Sequence, residues 1–378
     1  MDTTSSAKDK EVPKINIKYQ LMNRVYINRP FILIKEIQDK RILILNIKSF
    51  EIFDIRTNKR ICWIEGEFEE KKIIFGGTVR IDNNFYDFIE LKNKDLILWS
   101  TGKIFHYKKF DNSYKLSQVI NEVTQQKNET QITQIGYMEI YDLYNIIELD
   151  NNILLSCNSV GIKYYNFINN EYKLEKVIPM LDVSNVIQIN PNNPLIIHHY
   201  TYHSRELIPF SYDKFGLSLF DINSNKIINK IFEYKTSEDY SGKSKYEFNY
   251  CLIGDNFIYQ ICYYPQYNSG YYDDDINENE KEELSFNFNI YNIKNGNNIK
   301  DLETSFRLIS YFKDNLVFAE ENKSLNVCYF ENNKFYSVYK FDFFYDKSNF
   351  CILKNNDVII WYETYSFIRF YHYEYLNK

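Results

Sequence analysis

Residues 145–178 read NIIELDNNILLSCNSVGIKYYNFINNEYKLEKVI, and they contain four apolar segments separated by short polar turns. NIIEL (145–149) and NILLSC (152–157) are compact apolar runs. GIKYYNF (161–167) alternates apolar and polar residues, and YKLEKVI (172–178) does so more weakly. Alternation at period two marks a strand with two unlike faces. Asn, Asp and Gly fill the junctions, as tight turns require. The stretch therefore reads as four short strands joined by hairpins.

The same unit recurs along the chain. The second segment returns as RILILN (41–46), DLILWS (95–100), NILLSC (152–157), PLIIHH (194–199), NFIYQI (256–261), NLVFAE (315–320) and DVIIWY (357–362). Each copy follows a first segment: FILIKEI (31–37), DFIEL (87–91), NIIEL, NVIQI (185–189), NYCLI (249–253), RLISYF (307–312) and NFCIL (349–353). Each precedes an alternating third segment: FEIFDI (50–55), KIFHYK (103–108), GIKYYNF, GLSLFDI (216–222), FNFNIYNI (286–293), SLNVCYF (324–330) and FIRFYHY (367–373). A fourth segment is legible in five units, at 59–64, 114–120, 172–178, 226–234 and 335–341. No long apolar stripe at helical spacing appears. The 35 Tyr and 29 Phe favour strands, so the chain is all-β.

Four-stranded units repeated at this spacing indicate a β-propeller. The unit resembles a degenerate WD repeat, in which an alternating third strand ends in Trp-Asp. The corresponding pairs are Phe53-Asp54, Tyr107-Lys108, Tyr165-Asn166, Phe220-Asp221, Tyr291-Asn292, Cys328-Tyr329 and Tyr371-His372. An aromatic stands in six of the seven, never Trp, and the Gly-His dipeptide of that family is missing. This departure counts against the family's inner His–Asp hydrogen-bond network. The resemblance runs from about residue 12 to 376 and implies a protein-binding scaffold without enzymatic activity.

The seventh unit ends without a fourth strand, and VPKINIKYQL (12–21) belongs to no neighbouring unit. The expectation is an all-β, seven-bladed β-propeller of four-stranded blades, closed by the N-terminal strand completing the last blade. Residues 1–11 would be a disordered tail and 12–378 a single domain. Residues 65–85 leave room for further strands, so six, seven and eight blades stay open.

The spacing from the second segment to the aromatic position is 11 to 13 residues in five units, but 25 and 34 in the fourth and fifth. The excess falls at about 202–214 and 265–284, and long connections between units fall at about 65–85, 121–142 and 235–246. In a four-strand meander all five emerge on one face, and the opposite face keeps tight turns only. Long loops on a rigid scaffold carry binding. The candidate partner-binding residues are therefore Phe75 and Arg80, Tyr202, His203 and Arg205, and Tyr271, Tyr272, Asp273, Asp274 and Asp275. The acidic run would attract a basic protein or peptide segment.

The remaining composition narrows the function classes. Forty-five basic against 51 acidic residues, net −6, argue against a general nucleic-acid binder. No window reaches the length of an apolar membrane span, and the polar N-terminus has no signal-peptide core, so cytoplasm or nucleus is expected. The six cysteines form no CxxC pair and read as reduced, packed thiols. No phosphate loop, dinucleotide fingerprint or nucleophile elbow is present, and neither a cofactor nor a metal is implied. His199 and His203 have helical metal-ligand spacing but begin in a strand. Glu36, Glu90, Glu148 and Gln188 occupy like positions near the ends of first strands; carboxylates around a channel could form a glycosidase-type pair, but the expectation is that they meet solvent or satisfy turn amides. Trp63, Trp99 and Trp361 are expected in the core. The alternatives are a propeller hydrolase or lyase, or a small-molecule or carbohydrate binder, working at the channel mouth.

Overall fold

The computed structural model describes residues 17–26, 33–38, 40–46, 49–57, 59–65, 74–75, 78–79, 85–100, 102–121, 143–149, 152–158, 161–179, 183–188, 195–202, 212–235, 244–253, 256–265, 286–292, 298–304, 307–311, 315–321, 324–331, 334–342, 348–362 and 365–375. Among them, the strands form seven four-stranded antiparallel sheets and one two-stranded ribbon. Sheet 1 is Leu33–Ile37, Arg41–Leu45, Ser49–Asp54 and Lys59–Glu65. Sheet 2 is Asp87–Glu90, Leu96–Ser100, Lys103–Phe110 and Ser113–Asn121. Sheet 3 is Leu143–Glu148, Ile153–Asn158, Gly161–Ile168 and Glu171–Pro179. Sheet 4 is Val183–Gln188, Leu195–Tyr202, Tyr212–Asp221 and Lys226–Lys235. Sheet 5 is Ser244–Ile253, Asn256–Pro265, Phe286–Asn292 and Asn298–Thr304. Sheet 6 is Arg307–Tyr311, Leu316–Glu321, Ser324–Glu331 and Lys334–Asp342. Sheet 7 takes Ser348–Ile352, Val358–Tyr362 and Tyr365–Tyr375 from the C-terminal end and Ile17–Tyr26 from the N-terminal end.

The second strands of sheets 1, 2 and 7 are almost wholly apolar because both their faces are buried. In sheet 1, Leu43 and Leu45 pack with Leu96 and Leu98 of sheet 2, whereas Ile42 and Ile44 pack with Ile359 and Trp361 of sheet 7. In sheet 2 the alternation repeats: Leu96 and Leu98 face sheet 1, and Ile97 and Trp99 face sheet 3. Further apolar clusters join sheets 3 and 4, and sheets 6 and 7. Each fully buried Leu or Ile contributes about 1.5–3 kcal/mol. A one-residue slip would turn the wrong side chains to each neighbour, so register is strongly specified.

The pairing of third and fourth strands slips by one residue at the same place in every sheet. The slip falls between Ile52 and Phe53, His106 and Tyr107, Tyr164 and Tyr165, Leu219 and Phe220, Ile290 and Tyr291, Val327 and Cys328, and Phe370 and Tyr371. The second member of each pair is the position aligned with the Trp of a WD repeat. The outer strand supplies the extra residue: Ile61, Ser117, Glu175, Ile228, Ile299, Val338 and, in Ile17–Tyr26, Met22. A bulge bends and twists its strand. The N-terminal strand carries the same bulge as the six regular fourth strands, so it occupies the same structural position.

Four details depart from the sequence reading. The N-terminal strand spans Ile17–Tyr26 and continues past residue 21; residues 12–16 lie outside the described residues. Sheet 5 has a fourth strand, Asn298–Thr304, which the reading missed because NIKDLET has few apolar residues. Tyr202 is not in a loop: it ends the strand Leu195–Tyr202 and pairs with Tyr212. Within 65–85 the described residues include a ribbon, Ile74–Phe75 with Thr78–Val79, which the reading did not specify. No helix of the described residues is long and apolar enough to cross a membrane.

Candidate functional site

The face with the first-to-second and third-to-fourth turns is described in atomic detail. Its turns use left-handed residues: Lys40, Lys94, Asn152, Asn315 and Asn356 in the first-to-second turns, and Asp111, Asn169, Asn170 and Asn225 in the third-to-fourth. Asn and Asp tolerate this conformation best after Gly, and the chain has only 11 Gly.

The first-strand glutamates tie these turns together across sheets. Glu90 of sheet 2 accepts the Gln38 amide from the first turn of sheet 1. Glu148 of sheet 3 accepts the Lys92 amide from the first turn of sheet 2 at 2.8 Å. Glu36 of sheet 1 accepts the Lys354 amide from the first turn of sheet 7. Their expected role at turn amides is what the structure shows. Lys35 adds an ion pair to Asp87. The seam between sheets 1 and 7 leaves a groove lined by Glu36, Lys40, Ile55, Leu353, Lys354 and Asn355.

A second network hooks the third strand to the first turn. In sheets 1 and 6 the amide two residues past the aromatic position donates to a turn carbonyl: Ile55 to Lys40 at 3.1 Å, and Phe330 to Asn315 at 2.7 Å. In sheets 2 and 7 a carboxylate takes that place: Asp95 accepts from the Lys109 amide at 2.9 Å, and Asp357 from Tyr373 at 2.9 Å. Each aspartate also binds a histidine: His106 Nε2 lies 3.0 Å from Asp95, and His372 Nδ1 lies 2.8 Å from Asp357. These are His–Asp pairs of this chain's own, built without the Gly-His dipeptide whose absence counts against the family's network. Their sequence signal was the shared LKN-x-D of 91–95 and 353–357.

In sheet 2 the bulge residue completes this network, with Ser117 Oγ 3.0 Å from His106 Nδ1 and 3.1 Å from the His106 carbonyl. Asp, His and Ser together have the composition of a hydrolase triad. Here the imidazole is 0% exposed, and its Nε2 faces the carboxylate, so no substrate reaches it. Burial opposes ionisation of Asp95, but the bonds from His106, the Lys109 amide and Asn93 outweigh it and hold its pKa below the usual carboxylate value. The network is a latch.

The aspartates at the WD-like position cap the third-to-fourth turns. Asp54 accepts the Arg56 and Thr57 amides at 2.8 and 3.2 Å, and Asp221 accepts those of Asn223 and Ser224 at 3.1 and 3.2 Å. The Arg56 side-chain bond is the main force lowering the Asp54 pKa to about 2.

With this geometry in hand, the similar proteins can be stated. No family model matches the chain, and no curated protein does. Solved structures do match along nearly its full length. A chain of a mitotic checkpoint complex shares 6% identity at a TM-score of 0.58, covering 98% of this chain and 97% of that one. The WD40 domain of Toxoplasma gondii coronin gives 9% and 0.59, covering 97% and 89%. The β-propeller domain of Cps50 (Swd1) from Myceliophteria thermophila gives 9% and 0.53, covering 94% and 100%. The fold is that of a WD-repeat β-propeller. Each four-stranded sheet is a blade.

On this propeller the candidate binding residues of the loop-rich face fall largely beyond what is described. Arg80, His203, Arg205, Tyr271, Tyr272, Asp273, Asp274 and Asp275 lie outside the described residues. The backbone of Phe75 lies in the ribbon and that of Tyr202 at a strand end, in different parts of the chain. Trp99 and Trp361 are buried as expected, but Trp63, on an outer strand, is 39% exposed. Cys62, Cys157, Cys328 and Cys351 are free thiols, and burial pushes Cys62 and Cys351 up to about 11, which keeps them un-ionised and unreactive. Among the described residues, seven of the eleven exposed large apolar side chains lie on the third and fourth strands of blades 2 to 4; sequence reasoning passed over them because an alternating strand does not say which of its faces stays covered.

Proposed function

We propose that this propeller is a non-enzymatic scaffold whose loop-rich face holds a protein or peptide partner. The likeness to WD-repeat propellers over almost the whole chain carries the reading, and one of the similar chains sits in a multiprotein complex. Rigid stacked blades are suited to presenting long loops, because the latches on the tight-turn face leave the other rim free to vary. In the same reading, residues 12–378 form one domain and the seven blades close into a ring. The packing of blade 7 on blade 1, the Glu36–Lys354 bond and the outer strand Ile17–Tyr26 all support that closure. The acidic run at 273–275 selects a basic partner segment, with Phe75, Arg80, Tyr202, His203, Arg205, Tyr271 and Tyr272 as further contacts.

Affinity capture from the native cell, with the intact chain and with residues 265–284 deleted, tests this. Loss of specific partners on deletion is expected. An identical partner set would remove that loop from the function.

A further inference from the structure

Eleven large apolar side chains are exposed among the described residues, and seven of them belong to the third and fourth strands of blades 2, 3 and 4. They lie along the two seams that blade 3 shares with blades 2 and 4. Leu174 and Val177, 48% and 39% exposed, pair with Tyr165 and Lys163 and so lean toward blade 2, where Tyr165 joins the shared core. Phe110, 55% exposed, is on the same side of its strand as His106, which meets Phe167 and Tyr172 of blade 3. Ile227 pairs with Phe220 in the core between blades 3 and 4, and Ile168 shares the side of Tyr164 that faces the same core. Ile228, at the bulge of blade 4, is 56% exposed.

Lysines edge both seams. Lys108 Nζ lies 5.9 Å over the Phe167 ring, and Lys176 Nζ lies 4.2 Å over Tyr164 while bonding Asn225 Oδ1 at 2.8 Å. The three outer hairpins, 103–121, 161–179 and 212–235, hold eleven lysines against six Asp and Glu, in a chain of net charge −6. Only Lys163 among the described ones is buried. Exposed apolar side chains gathered on neighbouring strands and rimmed by charge are the make-up of an interaction site, and the local charge runs opposite to that of the molecule.

We propose that the outer rim of blades 2 to 4 is a second docking surface, taking an acidic segment of a partner protein that carries apolar anchors. The anchors would lie against the exposed apolar side chains along the seams on either side of the blade 3 hairpin, and their flanking carboxylates would meet the lysines. Leu174, Val177 and Ile227 lie within strands and not at hairpin tips, which suits an extended segment laid across the rim better than a flat bilayer.

The test uses the full chain and short fluorescein-labelled peptides that share a Phe/Leu/Ile core and are flanked by glutamates, by serines or by lysines. Fluorescence anisotropy should show the glutamate peptide binding about tenfold or more tighter than the serine peptide, with affinity falling as salt rises. Phe110→Ser with Leu174→Ser should abolish binding, and Lys173→Glu with Lys226→Glu should shift preference to the lysine peptide. All four positions are exposed, so thermal melts should match the parent, and either pair alone decides the matter. Equal binding of the three peptides, or affinity unchanged in a folded variant, overturns the proposal. So does recruitment to phosphatidylserine vesicles without peptide binding, which would make the rim a membrane surface.

Discussion

Tyr19 offers the sharpest test of the join between the chain's two ends. It is 5% exposed, and its ring lies 4.7 Å from Phe341, 5.2 Å from Tyr339, 5.5 Å from Tyr373 and 6.3 Å from Phe318. Its hydroxyl donates to the Asn356 carbonyl at 3.2 Å, in the first turn of blade 7. Burial, then Tyr373 and Asp357, push its pKa upward, so it remains a donor at neutral pH. Truncating a buried ring of this size costs about 3–5 kcal/mol, and a single hydroxyl bond about 1 kcal/mol. Tyr19→Ala should therefore lose about 4 kcal/mol and Tyr19→Phe about 1 kcal/mol. The assay is guanidinium unfolding followed by tryptophan fluorescence. Single-reporter variants would retain either Trp361, between blades 7 and 1, or Trp99, between blades 2 and 3. In a cooperative closed ring both reporters shift together. A loss below about 1 kcal/mol for Tyr19→Ala, or a shift confined to Trp361, would refute the reasoning.

Four further outcomes are expected. Burial raises the pKa of Tyr164 to about 12 and those of Tyr114 and Tyr172 as well, from 10.0. Their stabilising contribution is complete below pH 10 and is lost as pH rises through the folded values, so tyrosinate absorbance and loss of circular dichroism should climb together there. The Asp95 pKa is lowered from 3.8, so its contribution is present above that pH and lost as pH falls through the lower folded value. Asp95→Asn should cost about 1–3 kcal/mol at neutral pH and flatten the acid limb of a stability–pH curve. Lys40 sits at φ 58°, where a side chain costs about 1 kcal/mol, so Lys40→Gly should raise the melting temperature. Glu148→Ala should cost about 1 kcal/mol by freeing the Lys92 amide, and Glu148→Gln less, measured by urea titration.

The repeat itself was legible because blade burial imposes two different patterns. RILIL and DVIIW are continuous because each side chain meets one neighbour or the other, whereas SLNVCYF turns the large apolar Leu325 and Val327 to blade 7 and the polar Ser324 and Asn326 to its other, equally buried side. The aromatic positions from Phe53 to Tyr371 were visible too, and each proves to mark a bulge. The sheet 5 outer strand was invisible, since Asn298–Thr304 has few apolar residues to register against a neighbour. His106 looked like one more residue of an alternating strand, because Asp95, Ser117 and the Lys109 amide approach it from three other places in the chain.

The order of strands, the four-strand unit in five of the seven repeats and the apolar runs of the core follow from the sequence alone, since they depend on local alternation and on turns of a few residues. The extent and register of the N-terminal strand on blade 7, which carboxylate meets which turn, and which outer strands leave apolar side chains in water were decided only by the tertiary structure. Those contacts join residues as far apart as Tyr19 and Asn356, and their energies exist only once neighbouring blades have stacked and excluded solvent.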